Sequence, residues 1–388
     1  MIKRTAEDEL RILAGQFRAV AVVGPRQSGK TTLVRSVFPK KAYANLENPD
    51  LRRFATEDPR GFLATFRNGA ILDEIQRVPI LFSYLQQILD ETDENGKFIL
   101  SGSNNFLIQD NISQSLAGRV GYLFLLPLSM QESENNKTDI NTVIFRGGYP
   151  ALHNDDKIET GRYYSNYIIT YIERDVRQLK NISDLFLFEK FIRLCAGRIG
   201  SLLNMSNLAL ETGVDVKTVA SWLGVLEASF VLFLLRPWHE NFNKRVVKMP
   251  KLYFYDTGLA AALLGIEGVG NLPISPYRGN LFENLVILEF IKNRLNHGKK
   301  ANLFFWRDNT GNEIDLVSVR NTVKTAVEIK SGQTVTEEFF KGINYWNKIT
   351  GSTGGLVIYS GNNPQIRSNG VRVVPVSQLG EVLSQDIL

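Results

Sequence analysis

The sequence predicts an α/β protein with three parts: a parallel-sheet domain, a helical middle, and a second α/β domain toward the C-terminal end. Three observations carry this. Short apolar runs at residues 19–23, 41–46, 69–72, 97–101 and 120–124 alternate with helical stretches, as expected of parallel strands buried on both faces. Residues 201–255 read as helix, tight turn, helix and then a β-hairpin. From about residue 277 the alternation returns: a helix from about Gly279, strands at 302–306, 313–319 and 324–329, a helix near 337–348 and a strand at 355–359. The 388 residues suit two or three domains, and the expected boundaries are 1–130, 131–200 (a helical linker region), 201–260 and 261–388.

The first run ends on Gly24-Pro25-Arg26-Gln27-Ser28-Gly29-Lys30-Thr31, followed by Thr32. This is G-x-x-x-x-G-K-[ST] between a strand and an apolar-periodic helix, the setting of a phosphate-binding P-loop. Backbone amides of such a loop and the helix N-terminus surround a phosphate. Lys30 reaches the β- and γ-phosphates, and the Thr31 hydroxyl binds Mg²⁺. The third run delivers Asp73 and Glu74 to its C-terminal edge. There Asp73 holds Mg²⁺ and Glu74 polarises the attacking water. ATP and Mg²⁺ are therefore the expected ligands. The fourth run ends in Ser101-Gly-Ser103-Asn104, so Ser103 and Asn104 are candidate γ-phosphate sensors. Arg119, in Ser115-Leu-Ala-Gly-Arg119, is a candidate arginine finger for a neighbouring subunit. A capping Asn and a surface Arg are the plain alternatives.

Together with Leu72-Asp-Glu-Ile-Gln76, these segments resemble the prokaryotic AAA-type (AAA+) ATP-binding proteins, in which an ATPase domain is fused to an uncharacterised nuclease-like C-terminal domain. Phe145-Arg-Gly-Gly-Tyr-Pro150 and Tyr171-Ile-Glu-Arg-Asp-Val176 extend the resemblance over nearly the whole chain. It implies an AAA-like strand order and Arg119 as a candidate finger.

In the middle, Ser206 is expected to cap the first helix, Gly213 to make the turn and Asp215 to cap the second. Lys217, Thr218 and Ser221 would face outward toward phosphates or base edges. The hairpin then reads as the wing of a winged helix, carrying Arg236, Lys244, Arg245, Lys248 and Lys251. DNA is the partner this suggests, and a module used only for protein contacts is the alternative.

At the C-terminal end, Glu283 lies on a helix, Asp315 on a strand, and Glu328-Ile-Lys330 on the next. Alternation puts Glu328 and Lys330 on one strand face. Asp315 and Glu328 could then share a second Mg²⁺ or Mn²⁺ completed by Glu283, with Lys330 activating water. This order resembles the PD-(D/E)XK (restriction-endonuclease-like) nuclease fold. A salt-bridged sheet edge is the alternative.

Composition narrows the rest. Lys and Arg total 45 against 40 Asp and Glu, a net charge of +5, which permits nucleic-acid contact without demanding it. The one cysteine, Cys195, excludes an internal disulfide and a cysteine zinc site. The most apolar run, 230–235, falls far short of the ~20 residues that span a bilayer. The expectation is a cytoplasmic, membrane-free ATPase, acting on DNA and able to form homo-oligomers, with a nuclease-like domain of uncertain activity. A nucleotide-dependent signalling switch that binds proteins is the alternative.

Overall fold

A computed structural model describes residues 2–103, 112, 115–133, 138–172, 184–238 and 247–384, without the side chains of 171 and 172. The chain forms two compact units. The first comprises Met1–Leu128, Ala228–Phe230 and Arg294–Lys300, and the second holds the remainder.

The first unit is a five-stranded parallel sheet of β1 (Ala19–Val23), β2 (Ala42–Asn45), β3 (Ala70–Asp73), β4 (Phe98–Gly102) and β5 (Val120–Phe124), in the order β2-β3-β4-β1-β5. Every residue of β1, β3 and β4 is buried, which explains why these strands are apolar without alternation. Helix Lys30–Val37 packs Leu33, Val34 and Val37 against Val20, Val22, Ile71 and Ile99, while Leu10 and Leu13 of helix Ala6–Gln16 join the same core. The parallel register puts Gly24 and Asp73 at the C-terminal edge of the sheet, the edge where α/β folds bind ligands.

The second unit opens with helices Ile140–Arg146, Pro150–Asn154, Thr160–Tyr167 and Leu185–Ala196. Buried Asp256 binds this region together: one carboxylate oxygen accepts from the Gly148 amide at 2.7 Å, the other from the Tyr164 hydroxyl at 2.6 Å and the Leu259 amide at 2.9 Å. Gly147 has φ +67 and a β-carbon there would lie 2.4 Å from Asp256, so the turn admits only glycine.

Helices Met205–Thr212 and Val216–Ala228 meet at Gly213, whose φ of +90 closes the first helix. Asp215 accepts from the Thr218 amide and hydroxyl, as an N-cap does. The first helix is capped by Asn204, whose side chain accepts from the Asn207 amide at 3.1 Å, and not by Ser206. The helix starts at Met205, two residues earlier than a cap at Ser206 would require. A two-stranded antiparallel sheet follows, β6 (Leu232–Leu235) and β7 (Lys251–Phe254).

After helix Arg278–Asn296 comes a six-stranded mixed sheet of β8 (Leu303–Arg307), β9 (Glu313–Arg320), β10 (Val323–Lys330), β11 (Gly355–Tyr359), β12 (Gln365–Ile366) and β13 (Val371–Pro375). Its order is β12-β13-β11-β10-β9-β8. Helix Lys341–Thr350 sends Ile343 and Trp346 into the core formed with Trp306, Val317, Val357 and Val373. The last two strands lie beyond the strands expected from the sequence.

Candidate functional site

The loop between β1 and helix Lys30–Val37 is shaped by its glycines. A β-carbon on Gly24 would sit 2.1 Å from the Leu125 carbonyl oxygen, so only glycine lets the loop leave β1 there. Gly29, at φ +92, is the helix N-cap and brings no side chain to the first amides, which leaves them facing the loop. The Arg4 guanidinium donates to the carbonyls of Ser28 and Leu126, each at 2.7 Å, and holds the loop from behind. Lys30 is buried and its ammonium donates to the carbonyls of Gly24 at 3.0 Å and Pro25 at 2.7 Å. The Ser28 hydroxyl is buried and finds no hydrogen-bond partner among the described residues, as for a polar group that a ligand would satisfy. Pro25 is buried, Arg26 half-buried, and Gln27 (φ +60) and Thr32 are exposed.

Asp73 is the hub beside this loop. One carboxylate oxygen accepts from the Thr31 and Tyr43 hydroxyls, both at 2.8 Å, and the other from the Ser101 hydroxyl at 2.5 Å. Burial, then the bond to Asp73, pushes the Tyr43 phenol well above its ordinary range, so it remains a donor. No motif gives Tyr43 or Ser101 a role, although Ser101 opens the strand end that holds Ser103 and Asn104. The signal that could have found Ser101 is strand register, since Ser101 pairs with Asp73 across β3 and β4.

Glu74 follows in the left-handed region at φ +54, an uncommon and strained conformation for such a residue. Its carboxylate accepts from the Gln76 amide group at 2.5 Å and the Ser103 hydroxyl at 3.2 Å. Asn104 lies outside the described residues. These groups fit a nucleotide and Mg²⁺: a helix start without a side-chain cap, a buried hydroxyl unpartnered among the described residues, and a hydroxyl–carboxylate pair of Thr31 with Asp73.

Arg119 stands elsewhere. Its carbonyl pairs with the Ala19 amide at the start of β1, the opposite sheet edge from the loop, roughly 15 Å away along a five-residue strand. Its guanidinium is chelated by Asp90 through bonds of 2.5 and 3.0 Å.

The four C-terminal residues do come together, with companions that sequence reasoning overlooked. Glu283 accepts from the Lys251 ammonium at 3.1 Å and the Tyr253 hydroxyl at 2.5 Å. Asp315 accepts from the Ile329 amide at 2.8 Å and the Lys330 ammonium at 3.3 Å, and Lys330 also pairs with Glu328 at 2.5 Å. Lys251 pairs with Glu313 as well, whose other oxygen meets Arg307 at 3.0 Å. Burial raises Glu283, and burial followed by Asp315 raises Glu328 well above the carboxylate range. Asp315 is held below its ordinary value: burial opposes this, but Lys330, Lys251 and the Ile329 amide prevail.

This arrangement does not fit the expected second metal. Among the described residues, no three His, Cys, Asp or Glu side chains are grouped to hold an ion. Ammonium groups stand between the carboxylates instead. The expected wing cation Lys251 is in fact buried, because both faces of β7 are covered.

In the helix pair, Lys217 is exposed, Thr218 is half-buried with its hydroxyl given to Asp215, and Ser221 is half-buried. Arg236 and Lys248 are exposed, while Lys244 and Arg245 lie outside the described residues. Cys195 is buried and burial pushes its thiol far up, so it is unreactive. No helix among the described residues is long and apolar enough to cross a membrane.

Comparison with known proteins agrees with the first unit. The family model of an AAA domain matches residues 16–134, and two domains of unknown function match residues 137–269 (DUF8612) and 278–379 (DUF4143). The uncharacterized protein Rv2008c of Mycobacterium tuberculosis is 32% identical over 322 residues, 81% of this chain and 70% of that protein. An uncharacterized protein of Haemophilus influenzae is 22% identical over 239 residues, 57% of each. Among solved structures, the Walker-type ATPase of Pyrococcus abyssi is similar with a TM-score of 0.46, at 14% identity over 68% of this chain and 96% of that one. The chain belongs to the family of the mycobacterial protein Rv2008c, and its N-terminal part is an AAA-type, ATP-binding P-loop domain.

Proposed function

We propose that this chain hydrolyses ATP at Gly24–Thr32 and couples the hydrolysis to binding or processing of DNA through its second unit. The observation that carries the hydrolysis is the Asp73 hub, with Thr31 on one carboxylate oxygen and Glu74 next in the chain. Thr31 and Asp73 would hold Mg²⁺, which when bound neutralises charge on the β- and γ-phosphates. The amides at the start of helix Lys30–Val37, the Ser28 hydroxyl and Lys30 bind the phosphates. Glu74, oriented by Gln76 and Ser103, accepts a proton from the attacking water. The Ser103 bond to Glu74 supports Ser103 as a γ-phosphate sensor, and Asn104, next in the sequence, is the other candidate.

DNA is supported by the winged-helix reading of Met205–Phe254, with Lys217, Arg236 and Lys248 exposed on it. We keep the expected subdivision of the second unit into helical linker, winged helix and nuclease-like sheet on the same footing. The test is ATP turnover with and without duplex, single-stranded and branched DNA, alongside gel shifts and with Lys30→Ala as control. Stimulation of several-fold is expected. Turnover indifferent to every DNA, with no shifted band, removes the DNA part and leaves the ATPase.

One observation favours a second reading, a nucleotide-dependent switch that binds proteins. Leu210 and Val216, flanking the turn of the helix pair, are 83% and 43% exposed, apolar surface unlike a phosphate-binding face. That reading is supported if turnover is very slow and oligomeric state changes between ATP and ADP.

A further inference from the structure

We propose that Lys251 takes the place of a divalent cation in the C-terminal carboxylate cluster, making it a closed ionic joint between β7, helix Arg278–Asn296 and strands β9 and β10. This goes beyond the proposed ATPase and is independent of it.

The geometry is that of a filled site. Lys251 enters from β7 with its side chain 4% exposed and its ammonium on Glu283 and Glu313. Lys330 bridges Asp315 and Glu328 from the other side. The carboxylates are committed further: Glu283 to the Tyr253 hydroxyl, Glu313 to Arg307, Asp315 to the Ile329 amide. Gly342 lies close against this cluster, since a β-carbon there would stand 1.9 Å from Glu328 Oε1. Magnesium needs near-octahedral oxygen at about 2.0–2.1 Å and usually keeps several waters. Inserting it here would require expelling an ammonium and breaking hydrogen bonds that already satisfy the acids. Two positive centres already held within hydrogen-bond distance of these carboxylates, Lys251 on Glu283 and Glu313 and Lys330 on Asp315 and Glu328, would repel it strongly in a buried setting.

Ion pairing with protein cations leaves one formal negative charge in the cluster. Four acids, Glu283, Glu313, Asp315 and Glu328, are met by Lys251, Lys330 and Arg307. A buried ionic cluster persists only where its members are paired and hydrogen-bonded, and removing one partner is strongly destabilising. The cations come from three different strands, so the cluster ties the small β6–β7 sheet to the six-stranded one.

The test uses the full chain carrying Asp73→Asn, which silences the nucleotide site so that the result does not depend on the ATPase reading. Free Mn²⁺ is followed by electron paramagnetic resonance in titrations without nucleotide. The expected result is no Mn²⁺ uptake by this chain at millimolar metal, and uptake of one Mn²⁺ per chain once Lys251→Met is added, lost again with Asp315→Asn. Uptake before Lys251 is changed, abolished by Asp315→Asn, overturns the proposal, as does a folded Lys251→Met chain that takes up none. Circular dichroism establishes folding. Should Lys251→Met not fold, the titration of the Asp73→Asn chain with and without Asp315→Asn decides by itself.

Discussion

Glu74 sits in a left-handed backbone conformation that its neighbours enforce: Gln76 and Ser103 hold the carboxylate, and the buried Asp73 hub fixes the residue before it. Strain of this kind persists where surrounding structure over-determines it, and it clusters at functional sites. Glu74→Gln keeps the shape and removes the base, so ATP affinity should stay within about twofold while turnover falls by about 10²-fold or more. Phosphate release and fluorescent-nucleotide titration measure the two, and turnover near wild type would mean another base. Lys30→Ala should weaken ATP binding by at least about tenfold, since it removes a charge-assisted contact to phosphate. Lys30, Thr31, Asp73 and Glu74 were legible in the sequence because each lies in a short linear motif. Tyr43 and Ser101 were not, because their link to Asp73 depends on which strands are neighbours. Lys251 was misread for a similar reason, as nothing local tells that β7 is covered on both faces.

At the level of elements, apolar runs gave away the strands of both sheets as far as β11. The end of the second sheet was harder: β12 has only two residues, and β13 interrupts its valines with Arg372. Helix ends depend on single side chains, and there the choice between Asn204 and Ser206 can be decided. Asn204→Ala should destabilise the chain by about 1 kcal/mol, the usual loss for an N-cap, while Ser206→Ala stays within about 0.5 kcal/mol. Chemical denaturation of the two variants reads this difference, and the reverse order would restore Ser206 as the cap.

For the whole molecule, Arg119 sets the question of assembly. It lies at the sheet edge opposite its own phosphate loop and is bound to Asp90, so as a finger it can serve only another copy. Turnover per chain should then rise with protein concentration, Arg119→Ala should flatten that rise, and the two proteins should coincide at high dilution. A loss by Arg119→Ala that persists at the dilute limit would point to a role within one chain. Arg4 carries a different consequence. Its guanidinium spans Ser28 and Leu126, tying the phosphate-gripping peptide to the chain just as it departs β5. A displacement of Ser28 would be felt at the Leu126 backbone through these two bonds. One side chain thereby joins the phosphate loop to the stretch that leads out of the sheet.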